Sequence, residues 1–470
     1  MAKQTVMDKV VSLCKRRGFV FQSSEIYGGL SSTWDYGPLG VELKNNIAAF
    51  WWREMTQLHE NIVGIDAAIL MHPRVWEASG HVAGFVDPLV DCKQCKARFK
   101  AQDLVKTWRQ KKKIEALGGA DIPEGGESHM ENLKLIHWSE AMCPNCGTTG
   151  MLTEPRLFNL MLKTFLGPVE EAAAAVYLRP ETAQGIYVNY QNVVNTARVK
   201  IPFGIAQIGK AFRNEITPGN FIFRTREFEQ MEMQFFVRPG EDKQWLEKWR
   251  DARFQYYLKL GIRPEKLRLH QHTPQELAHY AADAFDIEYE FPFGWQELEG
   301  IHDRTDFDLK RHAEFSGKDL SYFDEEAKER FIPYIVETSA GLNRTLLTCM
   351  VDAYDEDTQE GEPRVVLHLS PKIAPIKVGI FSLVKKDGLP DVADKIASDL
   401  RKVCPVFTDH QGSIGRRYRR MDEIGTPWGI TVDYQTLEDH TVTLRDRDTL
   451  EQVRVSTDKV VDMIRGRLEK

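Results

Sequence analysis

Ala211-Phe212-Arg213-Asn214-Glu215, then Ile216-Thr217-Pro218-Gly219-Asn220, then Phe223 through Phe236, is the stretch of this 470-residue chain that decides its architecture. Two apolar runs flank a Pro-Gly turn, which predicts two strands around a loop. Side chains alternate along a strand, so Arg213 and Glu215 share one face, and Phe212 and Asn214 take the other. On the return strand Phe228 and Glu232 share a face, while Met231, Met233 and Phe235 take the opposite one and read as core. One hairpin thus presents an arginine, two glutamates and an aromatic ring together. That set suits a phosphorylated aromatic ligand such as a nucleotide, because a guanidinium matches phosphate and a ring stacks on a base. A solvent-facing sheet of paired charges is the bland alternative.

Downstream, Phe331-Ile332-Pro333-Tyr334-Ile335-Val336-Glu337-Thr338-Ser339-Ala340-Gly341-Leu342-Asn343-Arg344 reads as a strand entering a small-residue turn and a helix with Leu346, Leu347, Met350 and Val351. Glu337, Ser339 and Gly341 share a strand face. Arg344 falls near the helix start, where free N–H groups and the helix dipole favour anions. A capped structural helix with a surface arginine is, for this segment alone, the more common case. Upstream, Met7, Val10, Val11 and Cys14 mark an amphipathic helix that Gly18 stops. Pro38 opens another helix, with Leu43, Ile47, Phe50 and Trp51 on one side. Trp245, Trp249 and Tyr256 stud a helix over 241–260.

Residues 92–146 read as an insertion. They begin and end with Cys92-x-x-Cys95 and Cys143-x-x-Cys146, and their middle holds Lys111-Lys112-Lys113, Gly118-Gly119 and Gly125-Gly126, which suits a surface loop. Each pair has zinc-knuckle spacing, so the four cysteines are candidate ligands of a structural zinc. Cys14, Cys349 and Cys404 sit in apolar contexts and read as core. The stretch from Glu362-Pro363 through Pro371 and Pro375 reads as a linker. Beyond it, strand-like Val378–Phe381, a helical stripe at Val392, Ile396, Leu400 and Val403, strands at Thr441–Leu444 and Val453–Val455, and a last helix at Val460–Ile464 predict a separate small α/β domain.

Composition sets outer limits. Apolar residues are 42% and charged residues 28%, which excludes wholesale disorder. The net charge is −7, so any RNA must be held by a local basic surface. No apolar stretch is long enough for a membrane helix, and the N-terminus lacks a signal-peptide core. Seven cysteines in so long a chain do not form a disulfide scaffold. These features predict a cytoplasmic protein with no membrane partner.

Phe212-Arg213-Asn214-Glu215 with Arg226-Glu227-Phe228 resembles motif 2 of the class II aminoacyl-tRNA synthetases, and Gly341-Leu342-Asn343-Arg344 resembles motif 3. Three further segments narrow the likeness to the glycyl-tRNA synthetases. Tyr27-Gly28-Gly29 with Asp35-Tyr36-Gly37-Pro38-Leu39-Gly40 is similar to their motif 1 region. Arg179-Pro180-Glu181-Thr182-Ala183-Gln184-Gly185 is similar to their amino-acid loop, and Gly412-Ser413-Ile414-Gly415-Arg416-Arg417-Tyr418 to their anticodon-binding domain. The likeness spans the chain and matches the homodimeric type, not the type with separate α and β subunits. Thr338 and Leu342-Asn343 depart from the common pattern.

The resemblance implies an α+β fold: an antiparallel class II sheet of six or seven strands flanked by helices, with a C-terminal mixed α/β anticodon-binding domain. The catalytic domain would comprise 1–91 and 147–365, with 92–146 inserted and 373–470 reading the anticodon. It implies a glycine–tRNA ligase using ATP with Mg²⁺, in which Arg213, Glu215 and Arg344 carry the catalysis. The ATP contacts would be Arg213, Asn214, Glu215, Phe223, Arg224, Thr225, Arg226, Glu227, Phe228, Glu297, Leu298, Gly341, Leu342, Asn343 and Arg344, with Glu297 on Mg²⁺. The glycine contacts would be Arg98, Glu181, Phe228, Glu229, Gln230, Met231, Glu232, Glu337, Thr338, Ser339, Ala340 and Gly341. Arg416, Arg417, Arg419 and Arg420 would face the anticodon of tRNA(Gly), and the helix with Trp51 and Trp52 a dimer partner. A synthetase for proline, threonine or histidine is one rival. A non-catalytic nucleic-acid-binding relative is another, but it would be expected to lose the ATP residues.

Overall fold

The computed structural model describes residues 4–123, 129–168, 175–215, 219–278, 280–359 and 361–469. Helix α1 (Val6–Arg17) is capped by Thr5 and Asp8 and stopped by left-handed Gly18. Helix α2 (Pro38–Trp52) opens on Pro38 and crosses the first strand pair so closely that a Cβ on Gly40 would lie 1.8 Å from the Phe19 carbonyl oxygen. Then follow β1 (Ile62–Gly64), β2 (Val86–Asp91), β3 (Arg98–Lys100), α3 (Ala101–Gln110), β4 (Arg156–Asn159), α4 (Ala183–Val188), β5 (Phe203–Phe212), β6 (Glu227–Val237) and α5 (Asp242–Leu260). After these come β7 (Leu267–Gln271), β8 (Asp283–Phe291), β9 (Gly294–Thr305), α6 (Phe307–Ser316), β10 (Tyr334–Gly341) and α7 (Leu342–Ala353).

The main sheet runs β7-β8-β9-β10-β6-β5-β1. It is the expected seven-stranded antiparallel sheet, with one short edge strand, β1, lying parallel to β5. Helices α2, α5 and α7 cover one face, and Met231, Met233, Phe235, Trp249, Leu346 and Met350 share the resulting core. Trp51 is enclosed in that core and cannot face a partner subunit as expected, whereas Trp52 is more than a third exposed. No helix among the described residues is long and apolar enough to cross a membrane.

Two loop expectations are corrected. Residues 92–146 carry a core of their own: Val90, Val105, Trp108, Leu133, Ile136 and Trp138 pack together, Trp108 against Trp138 at 5.4 Å between ring centroids. The module is anchored by a three-stranded sheet, β3-β2-β4, so its roots lie outside the cysteine pairs. Gly125-Gly126 falls outside the described residues, as does the Thr217-Pro218 turn. The supposed linker begins instead as strand β12 (Glu362–Leu367), paired in a hairpin with β11 (Tyr354–Gln359). Pro363 sits at an edge, where no ladder N–H is needed.

The C-terminal domain is a mixed sheet, β14-β13-β15-β16-β17, made from β13 (Val378–Ser382), β14 (Val406–Asp409), β15 (Trp428–Val432), β16 (Thr441–Asp446) and β17 (Gln452–Ser456). Helices α8 (Leu389–Leu400), α9 (Ile414–Glu423) and α10 (Val460–Leu468) accompany it. Its own core (Ile380, Leu389, Trp428, Ile430, Ile464) is distinct, yet Phe381, Met421 and Ile424 pack into the main core with Leu367, Leu369 and Ile373.

Candidate active site

Across the face of the main sheet opposite α7, alternate residues of three adjacent strands open into a cavity of about 390 Å³. Strand β6 contributes Phe228, Gln230 and Glu232; β10 contributes Glu337, Ser339 and Gly341; β9 contributes Gly300, His302 and Arg304. Glu297 joins them from the same strand although its parity is wrong. The ladder shifts beside Leu298, so that Glu288 faces Glu297 while Ile287 faces Glu299. This bulge turns Glu297 to the cavity and leaves Leu298 in the core, with Glu299 held by Arg253 at 2.6 Å. Arg213 and Glu215 both line the cavity, but strand β5 ends at Phe212, so they do so from a loop rather than from the expected strand.

One end is cationic and aromatic. The Arg213 guanidinium lies 5.2 Å from the Phe228 ring centre and 5.4 Å from that of Phe85, with Nε donating to the Pro180 carbonyl at 3.0 Å. Arg344 covers Phe223 at 4.3 Å and reaches the Glu297 carboxylate at 3.3 Å. Burial alone would raise the Glu297 carboxyl, but Arg344, His302 and Arg213 hold it below its ordinary value. Arg224 and Thr225 complete this wall.

The other end is acidic and enclosed. Glu337 accepts from Arg304 at 3.1 and 3.3 Å and pairs with His302 at 2.8 Å; burial opposes its ionisation, but the Arg304 charge and the His302 contact bring it down to about 2. Burial likewise opposes ionisation of Glu181, and His81 (3.3 Å) and Arg304 overcome it. Glu232 differs. It accepts from Ser339 at 2.7 Å, from Gln230 at 3.0 Å and from Thr182, yet burial and its acidic neighbours Glu337 and Glu181 push it up to about 8. The result is a small box with two fixed negative charges and a third acid that holds its proton.

Several expected contacts lie elsewhere. Met231, Thr338 and Ala340 are buried behind the sheet, since strand alternation turns them away, and Leu342 is buried in the first turn of α7. Glu229 points to the same back face and pairs with Lys44, and Glu227 pairs with Lys210. Arg226 staples the loop to the Ser31 carbonyl, and Asn214 is not among the cavity-lining side chains. Asn343 lines the cavity and ties Tyr36 to the Glu229 amide. Arg98 is outside: it binds Asp91 at 2.6 Å, and Lys100, two residues on, occupies the cavity wall with Asp87. Lys100, Asp87, Phe85, Tyr280, His302 and Arg304 were not anticipated. The pair His302 and Arg304, two apart on a strand that already carries Glu297, was the available signal for the last two.

At the root of the insertion the four cysteine sulfurs lie within 4.8 Å of one another, Cys92–Cys146 and Cys95–Cys143 at 3.8 Å. A tetrahedral zinc with Zn–S bonds of about 2.3 Å has S···S edges of roughly 3.8 Å, so this donor set fits that ion. In the C-terminal domain the basic run divides. Arg417 is buried and donates to the carbonyls of Ser382 (2.6 Å), Asp409 (2.9 Å) and Leu383 (3.3 Å), and Arg419 binds the Pro363 carbonyl. Of the four, Arg416 is the exposed one, while Arg420 is drawn toward Asp409.

Residues 168–354 match the family described as tRNA synthetase class II core domain (G, H, P, S and T), and residues 377–467 match the anticodon binding domain. The chain is 55% identical over 469 residues to a glycine–tRNA ligase of Treponema denticola, covering 98% of this chain and 97% of that one. It is 53% identical over 469 residues to the enzyme of that name from Caldanaerobacter subterraneus subsp. tengcongensis, with both chains covered in full. A third, from Thermobifida fusca, is 52% identical over 476 residues, covering 99% of each. Likeness of this depth, running from end to end through both domains, makes the chain a member of the glycine–tRNA ligase family of class II synthetases.

Proposed function

We propose that this enzyme joins glycine to ATP as glycyl-adenylate, releasing pyrophosphate, and then passes the glycyl group to the 3′ end of tRNA(Gly). The observation that carries the reading is the convergence of Glu181, Glu232, Glu337 and Ser339 at one end of a cavity whose other end holds Arg213 beside Phe228 and Arg344 over Phe223. Free glycine offers only an ammonium and a carboxylate. The acids grip the ammonium by charge-assisted hydrogen bonds, and close-packed walls leave no room for a Cβ. Added atoms are easily rejected by such a wall, so selection needs no editing step.

Phe228 supplies the stacking plate for adenine and Glu215 an acceptor for its amino group. Arg213 holds the α-phosphate and Arg344 the terminal phosphate. The glycine carboxylate attacks the α-phosphorus in line, and Arg213 offsets the charge that develops there. No protein nucleophile is needed, since holding both substrates in attack geometry can lower the barrier by about 7–11 kcal/mol. The ionised Glu297 at the phosphate end fits Mg²⁺, an ion that binds one or two carboxylates beside substrate phosphates and neutralises their charge. The cysteine cluster takes a structural zinc. We place the enzyme in the cytoplasm, where its seven unpaired cysteines stay reduced. We also assign it as a homodimer, joined in part through the exposed Ile26, Tyr27 and Leu30.

Glycine-dependent ATP–pyrophosphate exchange tests the reading. Among glycine, alanine, serine, proline, threonine and histidine, only glycine should support exchange. Arg213→Ala should lower it by about 10²–10³ with unchanged thermal unfolding. Faster exchange with proline, threonine or histidine, or wild-type exchange in the variant, would overturn it.

A further inference from the structure

Strand β3 pairs antiparallel with β2, Asp91 opposite Arg98 and Leu89 opposite Lys100. Arg98 and Lys100 therefore share a face about 6.6 Å apart along the strand. Arg98 is spent at the outer end on Asp91. Lys100, at the inner end, reaches diagonally to Asp87 at 2.5 Å and to Glu215 Oε2 at 3.5 Å. Lys100 is 6% exposed and Glu215 7%, and both line the active-site cavity. Glu215 Oε2 has no hydrogen-bond partner. Its contact is the long ion pair to Lys100, which leaves room for a ligand donor to complete its hydrogen bonding. The Lys100 ammonium lies between that carboxylate and Asp87, so it fixes where the Glu215 oxygens sit. Lys100 is also shared with a second cavity, of about 540 Å³, inside the insertion beside Phe99, Leu104, Trp108 and Cys143. Its position is thus set by the folded insertion, not by the catalytic sheet.

We propose that Lys100 is a positioning residue that holds Glu215 as a charged, aimed acceptor for the 6-amino group of adenine, so that the insertion contributes a determinant of nucleobase selectivity. The inference rests on the assignment of Glu215 to adenine made above. An amino group at that position donates to the carboxylate, whereas the 6-carbonyl of hypoxanthine meets it acceptor to acceptor. Without Lys100, Asp87 and Glu215 lose the one ammonium that both contact, and nothing holds the Glu215 carboxylate in its present direction. A carboxylate no longer aimed at the 6-position cannot tell an amino group from a carbonyl there, and selectivity against inosine triphosphate collapses.

The test measures kcat and KM for ATP and for inosine triphosphate in glycine-dependent pyrophosphate exchange. It uses full-length, zinc-replete wild type, Lys100→Met, Lys100→Arg, Glu215→Gln and the double variant. Lys100→Met should raise KM for ATP by about tenfold or more and shrink the ATP-to-inosine-triphosphate ratio of kcat/KM by a similar factor. KM for glycine should stay within about twofold, Lys100→Arg should recover most of the ratio, and Lys100→Met should cost little more in the Glu215→Gln background. An unchanged ratio in Lys100→Met overturns the proposal. So does a uniform loss toward ATP and glycine with lowered zinc content or melting temperature, which marks a merely structural lysine. If Lys100→Met does not fold, Lys100→Gln is judged by the same criteria. A wild-type ratio in Glu215→Gln instead refutes the assignment of Glu215 to adenine, and the two failures are thereby told apart.

Discussion

Glu232 is the acid of the site that burial and its neighbours push away from ionisation. It is almost wholly buried, and burial together with Glu337 and Glu181 raises it from an ordinary 4.5 to about 8. Between those values the unfolded chain has lost a proton that the folded chain keeps. Stability of the empty protein therefore falls as pH rises from about 4.5 to about 8 and levels off above. An arriving ammonium prefers the ionised acid, so apparent glycine affinity should climb with pH up to about 8, by at most about tenfold per pH unit. Glu232→Gln should bind glycine more weakly, flatten that climb, and melt at a higher temperature than wild type above pH 8. Michaelis constants and calorimetry between roughly pH 6 and pH 9 check all three, and an unaltered pH profile in the variant refutes the account.

Strand alternation made much of this residue-level picture legible beforehand. Phe228 with Glu232, and Glu337 with Ser339 and Gly341, follow from period-two spacing, and they line the cavity as it requires. The same rule excludes Met231, Thr338 and Ala340, which entered as contacts only because the family likeness covers unbroken runs of sequence. Glu297 shows where the rule stops, since a one-residue bulge beside Leu298 reverses parity and no local sequence signal marks it. Lys100 was hidden for a different reason. Its role depends on which end of a three-residue strand faces the cavity, and that is a tertiary fact.

Among the elements, α9 divides its arginines by depth. Arg417→Ala would strand three backbone carbonyls that the guanidinium now satisfies, and it should destabilise the protein by about 2–4 kcal/mol. Arg416→Ala should change stability by less than about 0.5 kcal/mol while lowering tRNA charging, with pyrophosphate exchange intact. Denaturant titration and paired activity assays separate these outcomes. A run of basic residues reads as one surface in sequence. In the structure the helical turn carries one of them inward and leaves another in solvent.

The insertion is an element with its own thermodynamics. On the zinc assignment proposed above, a small apolar core closed by four clustered cysteine sulfurs should depend on metal, because zinc binding and folding are one event in such modules. Chelation or Cys143→Ser should change the fluorescence of Trp108 and Trp138 and raise KM for ATP, while the main thermal transition survives. Retention of both signals after verified zinc removal would contradict the metal assignment. Its long glycine- and lysine-rich middle suggested a loop because the apolar positions are spread thinly between Ala101 and Leu152.

At the scale of the whole molecule, the two domains share side chains. Phe381, Met421 and Ile424 of the C-terminal domain lie in the cluster that includes Leu346 and Met350, and Arg364 of the β11–β12 hairpin reaches Asp422 at 3.1 Å. Deleting everything after residue 372 should abolish tRNA charging, but it should also lower the melting temperature of what is left, by several degrees or more. Calorimetry of the truncated chain decides this. A catalytic half as stable as the intact enzyme would mean that the shared contacts carry little energy. Domain content was legible in the alternation of strands and helices past residue 377, whereas the cross-domain packing was not, because the proline-rich stretch before it resembled a tether.

The insertion's nucleus stays apart from the main one even though its lysine sits in the catalytic wall. Local melting of that module therefore need not propagate. On the zinc assignment proposed above, a cell short of zinc would accumulate enzyme that is idle yet still folded, and a supply of metal would return it to work without new synthesis.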